Sequence, residues 1–287
     1  MTDLVSFLSG LLLRIAKHWI AGETYEDALA RAQRSNALKV RGIINLLGED
    51  MTAREETIAA TSEYIEILKT LEARKIQSCI SIKPTQLGLA IDKSLFEENL
   101  SRILSNAKSL GKFVWVDIEG SKFTAGTIDS YLELRKKFDN VGVAIQAYLK
   151  RSEEDVKRIL DAGGFIRLCK GAYKESSDIV YKQKNQINGN FSKLMNVMFE
   201  RGRGFAIATH SEKLIEEAIG LSKVHHADFE FEMLMGIRDK RKLELVEEGY
   251  QVSEYIPFGK SWWAYSVRRI REHKSNIFLL ARSLLSD

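Results

Sequence analysis

Cations placed where short β-branched runs end set the first chemical constraint on this chain. Lys83 closes the run Ser78–Lys83, Arg167 lies in Phe165–Cys169 with Lys170 directly after it, and Arg268-Arg269 form a pair farther on. Against them the obvious anions at comparable positions are Asp117 and Glu230. A pocket with that excess wants an anionic ligand, because the planar guanidinium fork matches a carboxylate or phosphate bidentately. The segment Tyr255-Ile256-Pro257-Phe258-Gly259-Lys260-Ser261-Trp262-Trp263-Ala264-Tyr265 leads straight to the arginine pair. Aromatic walls beside paired arginines suit a small, partly apolar carboxylic acid. Taken singly, each residue also reads as the first solvated position after a strand, and Arg268 as an exposed helix residue with Glu272 one turn on. Polar residues at seven strand ends, Gln146, Thr209-His210 and Tyr255 among them, favour a site.

Other chemistries lack their residues. His225-His226 are adjacent, so on a strand they face opposite ways, and no HExxH or spaced carboxylate completes a zinc site. A GxSxG, a GxxxxGK[ST] and a GxGxxG after the first strand are all missing. Lys83 or Lys170 forming a Schiff base is the alternative enzyme chemistry, since a strand-end lysine in a low-dielectric pocket can lose its proton.

The elements that must hold these residues alternate regularly. Strand candidates are Gly42–Leu47, Ser78–Lys83, Phe113–Asp117, Val143–Gln146, Phe165–Cys169, Phe205–Thr209, Asp228–Phe231 and Gln251–Tyr255. Between them run helical patterns, among them Thr52–Ala73, Ser94–Leu110, Thr127–Phe138, Ser152–Leu160, Ser211–Leu221 and Arg238–Glu248, the first opened by the capping signal Thr52-Ala53-Arg54-Glu55. Eight βα units predict an α/β fold of the (βα)8 barrel type, with function at the C-terminal strand ends. We expect a helical segment over residues 1–40 and the barrel over 41–287.

Composition agrees. The chain has 287 residues, 45% of them hydrophobic, and two prolines, which argues against a proline-rich linker. Forty-three basic against 39 acidic residues give +4 with the signs interspersed, short of a nucleic-acid-binding footprint. Cys79 and Cys169 sit apart in apolar runs, which fits a reducing, cytoplasmic compartment without a disulfide framework. The first residues lack the positive start of a secretory leader. Leu4, Phe7, Leu8, Leu11, Leu12, Ile15 and Trp19 instead form an apolar helical stripe, either packed on the barrel or lying on a membrane surface.

At these residues the sequence resembles the flavin-dependent proline dehydrogenases of the short, monofunctional kind. The resemblance is carried in order by Asn45–Glu49, Ser81-Ile82-Lys83, Val116-Asp117-Ile118-Glu119, Ala144–Leu149, Arg167-Leu168-Cys169-Lys170-Gly171-Ala172-Tyr173-Lys174-Glu175, Ala208-Thr209-His210, Phe229–Leu234 and Tyr255–Arg269. It implies a distorted, TIM-like (βα)8 barrel with FAD across the strand ends and a final helix over the site. By similarity, Arg268 and Arg269 hold the proline carboxylate with Lys83, while Tyr255 and Tyr265 wall the ring. Arg167 steadies the reduced flavin near N5, and Asp117 organises Lys83 and the flavin. Gln146, Lys170, Gly171, Ala172, Thr209 and His210, with the backbone at Ile118, bind FAD. The implied reaction takes L-proline to Δ1-pyrroline-5-carboxylate and passes the electrons to a quinone. A peripheral contact with the inner membrane face and a homo-oligomer are compatible with it; metal and nucleic acid are not called for. Glu232 stands where the family pattern has glutamine, and Lys174 where the bifunctional enzymes often carry tryptophan. The length leaves no room for the aldehyde dehydrogenase domain of those enzymes, so the product passes to a separate one. A non-catalytic sensor of proline or flavin is the competing reading.

Overall fold

Eight parallel strands close into a barrel in which every neighbour in sequence is a neighbour in space. The computed structural model describes residues 18–263, 265 and 266. Residues 1–17 of the apolar stripe, the Arg268-Arg269 pair and the expected final helix lie outside the described residues. The strands are β1 (Arg41–Leu46), β2 (Ser78–Ile82), β3 (Val114–Val116), β4 (Val141–Gln146), β5 (Phe165–Cys169), β6 (Phe205–Ala208), β7 (Phe229–Leu234) and β8 (Gln251–Phe258). Helix α1 (Tyr25–Ala37) precedes β1. Helices α2 (Arg54–Ala73), α3 (Lys93–Ser109), α4 (Ser121–Arg135), α5 (Ser152–Asp161), α6 (Lys184–Arg201), α7 (Glu212–His225) and α8 (Asp239–Glu247) each follow a strand.

The outward residues of the strands build the main core against the helices. Ile44, Ile80, Val114, Val143, Ile166, Ile207, Phe231 and Ile256 are all fully buried there. A parallel sheet covered by helices buries both faces, so its strands read as almost unbroken apolar runs. Inside the lumen, Ile43, Trp115 and Ala206 form a separate small cluster. Polar side chains occupy the rest of the lumen, and they make the site.

Several boundaries differ from the sequence expectation, and two matter. β7 runs to Leu234, so Glu230 sits near its N-terminal end and not at its mouth. β8 continues through Pro257 to Phe258, which places Tyr255 inside the strand. Both strands carry polar residues into the lumen, and polarity within a strand imitates a strand end. Helix α2 starts at Arg54 with Ala53 as N-cap and no side-chain cap bond, so Thr52 does not form the expected box. The capping box that exists belongs to α1, where Thr24 and Asp27 exchange bonds. His225-His226 end α7, with His226 in the left-handed conformation, instead of lying on a strand.

Candidate functional site

Arg167 organises the lumen. From mid-β5 its Nη1 donates to Ser81 Oγ on β2 and to Asp117 Oδ1 just past β3, both at 2.9 Å. Its Nε pairs with Glu232 on β7. The guanidinium lies 4.6 Å from the Trp115 ring centroid and 5.6 Å from that of Tyr255 on β8. One side chain can touch four other strands only from the barrel axis, which fixes the inward face of each. Nη2 of Arg167 is buried and finds no hydrogen-bond partner among the described residues.

Asp117 collects the remaining donors. Ser81 Oγ donates to Oδ1 at 2.7 Å, Tyr255 Oη to Oδ2 at 2.6 Å, and Lys83 Nζ to Oδ2 at 3.3 Å. Burial pushes this carboxyl up, but the Lys83 and Arg167 charges and the Tyr255 and Ser81 bonds outweigh it and hold it below the usual range. Burial likewise pulls Lys83 down, yet the field of Tyr173, Asp117, Tyr255 and Glu49 keeps its ammonium charged well above the ordinary value. Lys83 also pairs with Glu49 at 3.3 Å. A lysine held this firmly in the charged state is a poor Schiff-base nucleophile and a good carboxylate anchor.

Two cavities open from this cluster toward the C-terminal face. The inner one, about 190 Å³, is bounded by Asp117, Arg167, Glu232, Tyr255, His210 and Leu234 with smaller neighbours. The outer one, about 640 Å³, is lined by Lys83, Ile118, Gln146, Lys170, Gly171, Ala172, Thr209, His210, Tyr255 and Tyr265, among others. Lys170 is lowered by its partial burial and then by the neighbouring Lys184 charge. His210 Nε2 accepts from Leu234 N at 3.0 Å, which places the ring proton on Nδ1. Gln146 Nε2 donates to the Glu119 carbonyl at 2.9 Å, tying the β4 mouth to the β3 loop.

Gly171 shows why that loop approaches closely. It has φ of +104°, and a Cβ there would fall 2.1 Å from Tyr148 Cδ1, so only glycine lets the backbone pass. Beyond it, residues 170–183 carry no helix or strand before α6, much longer than an ordinary βα connection. Ser121 N and Oγ each donate to Glu175 at 2.6 Å and fasten this loop to the start of α4.

The structure thus gathers Lys83, Asp117, Arg167, Tyr255 and Tyr265 with Ile118, Gln146, Lys170, Gly171, Ala172, Thr209 and His210 around two adjoining cavities that share Ile118, His210 and Tyr255 among their walls. Glu230 belongs to neither. That residue lines a cavity of about 620 Å³ at the opposite, N-terminal end of the barrel. Of three carboxyls absent from the residue-type argument, Glu232 walls the inner cavity, while Glu49 and Glu119 lie behind it, Glu49 paired with Lys83. Glu119 is held by Thr85 N and Oγ1 at 2.8 Å, and burial pushes it up to about 7 against the Lys83 charge. Burial likewise pushes Glu232 up to about 8, opposed by Arg167 and reinforced by Glu230. Strand parity was the available signal, since Glu232 shares a face with Glu230, and Ser81 with Lys83.

Of the apolar stripe, Trp19 alone is described. It is buried with Ile20, Leu47 and Tyr265, and its Nε1 donates to Ser266 Oγ at 2.9 Å. Among the described residues no helix is long and apolar enough to cross a membrane.

Known proteins resemble this chain in sequence and in fold. A family model described as proline dehydrogenase matches residues 28–281. Proline dehydrogenase 2 of Bacillus subtilis strain 168 is 34% identical over 96% of this chain and 95% of its own length. The proline dehydrogenase of Deinococcus radiodurans is 30% identical, covering 94% and 90%. Among solved structures, proline utilization A from Bdellovibrio bacteriovorus, inactivated by N-propargylglycine, superposes with a TM-score of 0.83 at 24% identity. The match covers 89% of this chain and 32% of that much longer protein, and it concerns the fold.

Proposed function

The chain belongs to the proline dehydrogenase family and is an oxidoreductase that oxidises proline in the first step of proline catabolism; from that premise we propose that its two adjoining cavities take FAD and L-proline. The observation that carries the reading is the buried, unpartnered Nη2 of Arg167 at the wall of the inner cavity, next to the outer space walled by Lys170, Gly171 and Thr209. An orphaned guanidinium donor in a closed polar site costs stability unless a ligand accepts from it. The combined space falls in the size range of cofactor sites.

Bound there, FAD would supply a two-electron acceptor for the hydride lost when proline is oxidised at C5 to Δ1-pyrroline-5-carboxylate. The chain's own residues do the rest. Ile118, Gln146, Lys170, Gly171, Ala172, Thr209 and His210 hold the cofactor. Arg167, fixed by Ser81 and Asp117, keeps a permanent positive charge at the inner cavity, which would favour an anionic reduced cofactor there. Lys83, held charged, joins Arg268 and Arg269 in anchoring the substrate carboxylate. Tyr255 and Tyr265 wall the ring, and Asp117 fixes Lys83, Arg167 and Tyr255 in register. Guanidiniums bound to the carboxylate exclude cyclic amines that lack one.

The electrons pass to a quinone, with the apolar stripe before Trp19 on a membrane surface as the means of reaching it. Because Trp19 packs on Tyr265, a truncation that probes this should stop at residue 17.

The protein is expected to purify with FAD or to take it up on reconstitution. A colourless protein that cannot be reconstituted overturns the cofactor assignment. Arg268→Met and Arg269→Met should each raise the proline KM by about 30-fold or more, as loss of a buried charge-assisted bond costs roughly 2–5 kcal/mol, with little change in flavin content. Unchanged kinetics in both variants would return the pair to an exposed helix face.

A further inference from the structure

Oxidation of a secondary amine to an imine breaks a C–H bond and an N–H bond. The hydride goes to the two-electron acceptor of the dehydrogenase reaction, and the nitrogen proton must leave the buried site separately. None of the cations around the inner cavity can receive it. Asp117 accepts bonds from Ser81, Tyr255, Lys83 and Arg167, and those groups hold it ionised.

Glu232 is differently placed. One oxygen, Oε2, pairs with Arg167 Nε. The other, Oε1, is buried and meets no hydrogen-bond donor. Glu230, two residues back on the same face of β7, is the neighbouring carboxyl along the lumen, and its presence raises Glu232 further. Glu230 in turn accepts from Ser253 Oγ at 2.6 Å. Both Glu230 and Ser253 line the cavity at the N-terminal end of the barrel, with Asp228 and the exposed Arg41 near its rim. Polar groups therefore run along the lumen from the inner cavity, which Glu232 walls, to solvent at the opposite end.

We propose that Glu232 and Glu230 form a proton exit along the barrel axis, carrying the amine proton of the substrate away from the face at which substrate and cofactor enter. In this scheme the proton passes from the ring nitrogen, through water in the inner cavity, to Glu232. Glu232 passes it to Glu230, and Glu230 releases it to water in the N-terminal cavity, so both carboxyls end each turnover as they began. No net charge accumulates in the lumen. The inference rests on proline oxidation at the inner cavity and adds the route of the proton.

The surroundings suit a carboxyl that changes state. Facing Glu232 are Arg167 and Cys169 from β5, Asp117 from the β3 end, Cys79 from β2, and Ser253 and Tyr255 from β8. β6 presents only Ala206 and Ala208 opposite Glu230 and Glu232. Burial raises Glu232 to about 8, within reach of a secondary amine's exchange with neutral water.

The test uses the intact flavin-loaded enzyme. Glu230→Gln lies remote from substrate and cofactor, so it should lower kcat by about ten-fold or more in dilute buffer with KM and flavin content preserved. Raising the concentration of a small diffusible buffer such as imidazole or formate should restore much of the loss, which structural damage would not permit. Glu232→Gln should lose the same step without rescue from the N-terminal side. In the wild type, an infrared protonated-carboxyl band should fade as pH rises through about 8, after the earlier loss from Glu119 near 7, and that later-fading band should be missing from Glu232→Gln. A Glu230→Gln enzyme with wild-type kcat at every buffer concentration, or slowed without any response to buffer, would overturn the exit. So would the absence of the band, which can be read even if a variant fails to fold. Loss of proline-dependent flavin reduction in the wild type would instead overturn the functional reading beneath it.

Discussion

Two buried charge clusters share strand β8 and differ in how completely they are satisfied. Glu254 points outward. Its Oε2 accepts from Arg31 Nε at 2.7 Å and Ser35 Oγ at 2.9 Å, and its Oε1 from Arg31 Nη2 and Lys242 Nζ at 2.7 Å each. That cluster ties α1 and α8 to the barrel, and each oxygen of its carboxylate has two donors. One residue on, Tyr255 points inward to the Arg167, Asp117 and Glu232 cluster, where Arg167 Nη2 and Glu232 Oε1 are buried without partners. A saturated cluster has nothing left with which to bind; an unsaturated one spends stability to keep donors and acceptors available. Pleat parity alone separates a structural ion cluster from a chemical one.

The largest effect expected from this contrast is on stability. Glu254→Ala leaves Arg31 and Lys242 facing each other without their carboxylate, and should cost about 3–5 kcal/mol in denaturant unfolding. The folded fraction should still reduce its flavin with proline at the wild-type rate. A loss of activity beyond the loss of folded protein would show that the two clusters are coupled.

A smaller effect, of opposite sign, separates the clusters by pH. Burial pushes Glu254 up, but the bonds and charges of Arg31 and Lys242 hold it below its ordinary value of 4.5. The stability it contributes is present above about pH 4.5 and is lost as pH falls through the lower folded value. Glu232 is raised from 4.5 to about 8, so its contribution is complete below about pH 4.5, declines as pH rises, and is gone above about 8. Glu232→Gln should remove that decline, leaving the variant relatively more stable at pH 8 than at pH 5. Glu119, raised to about 7, adds a decline of the same sign that the substitution leaves in place, so the difference between the two proteins is the quantity to measure. Parallel stability curves for wild type and Glu232→Gln would mean that the lumen cluster is as well satisfied as the outer one.

The barrel was legible because alternating β-branched runs and 3.6-residue periods force eight βα units, and the eight strands form in that order. Helix α6 was harder to delimit. Asn185, Asn188, Gly189 and Asn190 weaken its first half, and its core stripe of Phe191, Leu194, Met195, Met198 and Phe199 starts late. The placement of Lys83, Arg167, Gln146 and His210 near one mouth was also legible, since polar residues in otherwise apolar strands need a reason. The partnership of Arg167 with Glu232 was not. It depends on which residues of β5 and β7 share a level of the lumen, and barrel stagger is not written in the periodicity of a single strand. Glu230 misled for the same reason, having the right type and parity but lying one level too low.

We propose that this barrel holds FAD and oxidises L-proline with it. Anaerobic mixing of the flavin-loaded protein with L-proline, followed by absorbance, tests it most directly. The oxidised flavin bands should bleach on addition of L-proline and return when an electron acceptor is admitted. Flavin that stays oxidised in saturating L-proline would contradict it.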